Sequence, residues 1–124
     1  MEDYEDLTYA GFFGRIDLPD HLTNRVLQAM KDRGIANKDL AAGIYEPMGL
    51  GVPGSAEVFI NKIRSKRSYQ KLPSAFSRSE NERKKRQLYR ISVLLHALEI
   101  ENSDPLVQRL KHIYKGFQYP PRQQ

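Results

Sequence analysis

Apolar residues recur at helical spacing in five stretches of the chain, separated by glycine, proline and short polar residues. In the first, Leu22, Val26, Leu27 and Met30 fall on one face; Asp20, at the end of the turn-forming Asp17-Leu18-Pro19-Asp20, is its expected cap and Gly34 its stop. A second, short helix within 35–44 turns Leu40, Ala41 and Ile44 inward. Residues 45–54 hold too much glycine and proline for regular structure and read as a loop. Ser55 is the expected cap of a third helix over 56–65, in which Ala56, Phe59, Ile60 and Ile63 form an apolar stripe while Glu57, Asn61, Lys62 and Arg64 point away. Ser79 and Glu82 have capping-box spacing ahead of a fourth helix whose inner face is Leu88, Ile91, Leu94, Leu95 and Leu98. Asp104-Pro105 opens a fifth, which carries Leu106, Leu110 and Ile113 to a stop at Gly116. The pattern predicts a compact all-α domain of about five helices.

The ends of the chain differ from this body. Residues 1–19 join an acidic leader, Met1-Glu2-Asp3-Tyr4-Glu5-Asp6, to an aromatic, glycine-punctuated stretch that reads as a short strand or an extended arm. Residues 20–100 hold the expected domain. Residues 101–124 add the last helix, whose apolar face either pairs two copies or completes the core, and a tail over 117–124 marked by Pro120-Pro121.

Composition narrows the class. The 124 residues suit one domain, and 40% hydrophobic with 28% charged residues is an ordinary globular balance. No apolar run approaches the roughly 18 residues of a membrane span, and the acidic start does not resemble a secretory signal, so a cytoplasmic protein with no membrane partner is expected. There is no cysteine, which excludes disulfides, thiolate metal sites and thiol nucleophiles. His21, His96 and His112 lack metal-ligand spacing, and Gly49-Leu50-Gly51-Val52-Pro53-Gly54 lacks the Lys-Ser/Thr of a phosphate loop. No enzyme activity, metal or cofactor is expected.

The formal charge is +5, and its distribution says more than its size. Between Lys62 and Arg90 stand Arg64, Lys66, Arg67, Lys71, Arg78, Arg83, Lys84, Lys85 and Arg86, opposed only by Glu80 and Glu82. A concentrated positive segment favours an anionic partner. For the run Arg83-Lys84-Lys85-Arg86, a solvated helix face with at most a phosphate role is the stronger reading.

Three segments carry a family resemblance. Met30-Lys31-Asp32-Arg33-Gly34-Ile35-Ala36-Asn37-Lys38-Asp39-Leu40-Ala41 resembles the turn and scaffold helix of lambda-repressor and Cro-like (XRE family) helix-turn-helix proteins, with Ala41 small where the next helix crosses. Ile60-Asn61-Lys62-Ile63-Arg64-Ser65-Lys66-Arg67 resembles the second half of their recognition helix, and Leu94-Leu95-His96-Ala97-Leu98-Glu99-Ile100 their closing helix. The likeness spans about 22–100, with the tight turn of about 3–4 residues enlarged to 45–54.

The resemblance implies a DNA-binding transcriptional regulator, a repressor acting as a homodimer on double-stranded DNA, with the helix near 55–65 in the major groove. It implies that Asn37 and Ser55, at helix starts, hold backbone phosphates. It places Glu57, Asn61 and Lys62 toward base edges, asparagine suiting adenine and lysine guanine, and gives Arg64, Lys66 and Arg67 to phosphates. The rival expectation is a protein-binding adaptor or inhibitor on the same helical fold.

Overall fold

The computed structural model describes residues 17–65, 72 and 82–122. These form an all-α fold with no strand among the described residues: α1 (Leu18–Arg33), α2 (Asn37–Ile44), α3 (Pro53–Arg64), α4 (Glu82–Ala97) and α5 (Pro105–Ile113). The arm or strand expected within 1–16, the capping residue Ser79 and nearly all of the 65–77 linker lie outside the described residues. No helix among the described residues is long and apolar enough to cross a membrane.

α1 begins earlier than its composition suggests. Asp17, not Asp20, stands at the N-cap, its carbonyl accepting from the His21 N–H at 2.9 Å, and Asp20 lies inside the first turn. Pro19 explains the shift, since a residue without an N–H fits the first turn, where that donor has no helical partner. Leu22 and Val26 are fully buried and Met30 nearly so, whereas Leu27 is only half-buried. Gly34 ends the helix at φ 64°, its N–H donating to the Lys31 carbonyl. Thr23 is also fully buried; its hydroxyl donates to the Ile63 carbonyl at 2.6 Å and satisfies a C-terminal carbonyl of α3.

α2 and α3 form the most extensive helix pairing, and α3 packs on α1 as well. Leu40, Ala41 and Ile44 of α2 and Ala56, Phe59, Ile60 and Ile63 of α3 are all buried, as their spacing predicts. Ala41 and Ala56, both with no exposed surface, keep the paired faces slim. The cap assignment of Ser55 does not hold: Val52 is the N-cap, no side chain caps the helix, and Pro53 and Gly54 belong to its first turn. Proline again permits the earlier start. The segment before it is less irregular than its glycines suggest. Met48, Gly49 and Leu50 donate to the carbonyls of Ile44, Glu46 and Tyr45, and Met48 is buried at 2% exposure.

α4 buries all of the expected inner face, with Leu98 just beyond its end, and adds Ser92 and Val93. α5 opens as expected, the Asp104 carboxylate accepting from the Leu106 N–H at 2.9 Å. Its apolar side, offered by the sequence as a pairing surface, is packed inside the chain: Leu106, Val107 and Leu110 have no exposed surface. Residues 117–119 are likewise not a loose tail. Phe117 and Tyr119 are buried, the Tyr119 hydroxyl donates to the Ile100 carbonyl, and Ser92 Oγ donates to the Gln118 carbonyl at 2.6 Å. One apolar cluster therefore runs from Leu18 to Tyr119.

Candidate nucleic-acid interface

With its apolar stripe buried, α3 presents the opposite side outward. At 100° per residue Gly54, Val58, Asn61 and Ser65 project directly away from the core, Ser55 and Lys62 flank them on one edge, and Glu57 and Arg64 on the other. All but Glu57 and Lys62, which are half-buried, are exposed. Val52 and Val58, 57% and 52% exposed, are the exposed large hydrophobics among the described residues, Val52 at the N-cap of this helix and Val58 midway along it.

The C-terminal half of the face is tied to α2. Asn37, the first residue of α2, donates through Nδ2 to Asn61 Oδ1 and accepts from Arg64 Nη1 through Oδ1. The two polar ends of one amide thus engage two side chains a turn apart on α3. The arrangement fixes the Arg64 guanidinium over the start of α2 and commits the acceptor half of Asn61, which a bidentate adenine contact requires. Asn37 is a strut between the helices here, and Asn61 is its footing.

Charge is divided unevenly between neighbouring elements. Across α2, the turn and α3, Lys38, Lys62 and Arg64 are balanced by Asp39, Glu46 and Glu57. α4 carries Arg83, Lys84, Lys85, Arg86 and Arg90 against Glu82 alone. Arg90 connects the two regions: its Nε donates to the Met48 carbonyl at 3.1 Å, so a helix cation holds the turn that leads into α3. Burial, and after it the neighbouring Arg86, lowers the Arg90 pKa below the usual arginine value. Arg83, Lys85 and Arg86 are exposed, with no ion pair among the described residues.

Of the residues assigned from sequence, the structure gathers Asn37, Asn61 and Arg64 into one hydrogen-bonded group and sets Ser55, Glu57 and Lys62 along the flanks of the same helix. Lys66 and Arg67 lie outside the described residues. Sequence reasoning passed over Val58. The signal was there, a β-branched apolar residue on the polar side of an otherwise regular amphipathic helix. It also passed over the contact that brings Arg90 to the turn, which no local pattern announces. Comparison with known protein families, curated proteins and solved structures gave no match to this chain.

Proposed function

We propose that the chain is a DNA-binding transcriptional regulator that lays α3 along the major groove and grips the flanking backbone with the basic half of α4. The observation that carries this reading is a slim, outward helix face, buttressed at one end by Asn37, beside a turn clamped by a cation-rich helix. A major groove about 12 Å wide admits one α-helix, and phosphates on either side take cations from neighbouring elements. One short helix reads few base pairs, so a selective site requires two copies on matching half-sites about 34–36 Å apart, and occupancy of such a site by a bound pair blocks transcription.

The competing reading is a protein partner, favoured by the exposed Val52 and Val58. Titration of the full chain with random-sequence duplex DNA over a salt series separates the two. Log affinity is expected to fall linearly with log salt, with a slope of about −0.9 per phosphate neutralised. Absence of binding at low salt overturns the DNA reading.

A further inference from the structure

We propose that Val58 is a specificity-determining residue and that it reads the C5-methyl group of a thymine. The inference rests on the duplex-DNA reading and gives it a base. Val58 sits at the centre of the outward face of α3, about half exposed, where an ordinary solvated helix carries a polar or straight-chain residue. Valine there lowers helix propensity through its stiff χ1 and leaves about half of its apolar surface in water. The approach to it is clear. Gly54 lies one turn earlier on the same face, and a side chain built there meets nothing within 4 Å. Lys62, one turn later, brings a cation to its edge.

The chemistry of base edges then limits what this residue can recognise. In the major groove every edge offers donors or acceptors, and thymine alone adds a methyl group. Valine has no hydrogen-bonding atom. Against a guanine edge it would cover the N7 and O6 acceptors without replacing their water, a penalty that excludes G as effectively as the methyl contact selects T. Asn61, the other candidate reader on the centre line, is held by Asn37. Base selection therefore shifts toward the N-terminal half of the helix, where Val58 stands.

The test uses the full chain and duplexes selected from a random pool, with each thymine replaced in turn by uracil, which removes the methyl and leaves pairing and groove hydrogen bonds unchanged. At one thymine per half-site the wild-type chain is expected to lose about fourfold in affinity, the equivalent of about 0.8 kcal/mol for one buried carbon. Val58→Ala is expected to fold, to keep the salt slope, and to bind the thymine and uracil duplexes equally. Sensitivity at no thymine, or sensitivity that persists in Val58→Ala, overturns the inference while salt-dependent duplex binding keeps the DNA reading standing. Failure to bind any duplex at low salt overturns both.

Discussion

α3 and α5 begin alike and are finished differently. Each starts on proline after an extended residue, Val52 at φ −141° and ψ 149°, Asp104 at φ −60° and ψ 135°, and each turns an apolar face into the core. At α5 the polar chemistry is consumed inside the protein: one Asp104 oxygen caps Leu106 and the other accepts from Arg25 Nε at 2.8 Å, which ties α5 to α1. At α3 no side chain closes the end, and Val52 and Val58 stay exposed. Among the described helix starts a side-chain cap is particular to α5: the N-caps of α1, α2 and α3, namely Asp17, Ala36 and Val52, make no side-chain cap hydrogen bond. What sets α3 apart is the exposure of Val52 and Val58, and on the proposed function this is the face that meets DNA.

The inner faces are equivalent, and there the largest effects are expected. Ile60→Ala in α3 and Leu110→Ala in α5 each empty a site with no exposed surface, and each should lower stability by about 2–5 kcal/mol in urea unfolding. The comparison breaks if Leu110→Ala is nearly silent, because α5 would then be a detachable element and not part of the core.

The α5 side also carries a source of acid sensitivity. His21, 3% exposed, has its pKa lowered to about 4, first by burial and then by Arg109 and Arg25, against an opposing pull from Asp104. A lowered histidine pKa means that the folded state favours the neutral ring. The stabilisation is complete above the unfolded value of about 6.5 and is lost as pH falls toward about 4, where the folded state also takes up the proton. Up to about 3 kcal/mol is at stake, since one pKa unit is about 1.36 kcal/mol. His21→Gln should flatten this part of a stability profile measured between pH 7 and pH 4. An unchanged slope would remove His21 as its source.

The two helix starts supply a smaller and more direct contrast. Asp104→Ala removes a cap and its link to Arg25, and should cost about 1–2 kcal/mol. Ser55→Ala should stay within about 0.5 kcal/mol, because the serine lies inside the first turn and caps nothing. Equal losses would mean that α3 is closed as firmly as α5.

These contrasts also mark where the sequence was legible. Burial of Ala56, Phe59, Ile60 and Ile63 could be read directly, because the period of the pattern is the period of the helix that buries it. Asp104-Pro105 was legible for a similar reason, since cap and first-turn proline are neighbours in the chain. Val52 gave no such sign: an apolar N-cap does not resemble a cap, and the helix start was placed at the first serine beyond it. Thr23 and Ser92 find their partners 40 and 26 residues away, and Phe117 and Tyr119 join a core assembled from distant segments. Those placements depend on the finished fold. The Asn37 strut across 24 residues belongs with them, and so the division of labour along α3 could not be read from spacing alone.

The smallest effect on stability is expected where the consequence for binding is clearest. Arg83 and Lys85 lie near the beginning of α4, where the helix dipole presents its positive end and favours acids over bases. Cations there work against the helix, each by roughly 0.3–1 kcal/mol at most in an exposed position. Arg83→Gln and Lys85→Gln should therefore leave stability unchanged or raise it by a few tenths of a kcal/mol. If α4 holds phosphates, the same substitutions should weaken random and selected duplexes alike and reduce the salt slope by about 0.9 for each contact removed. Val58→Ala should do the reverse, keeping the slope and losing discrimination between thymine and uracil. Urea unfolding and duplex titration of the same variants provide both readouts. Stability that rises while affinity falls would identify the basic half of α4 as a surface maintained for a ligand. If stability rises and affinity is untouched, the run is only a solvated face, and the cations that hold the backbone must be sought in the segment 66–81 instead.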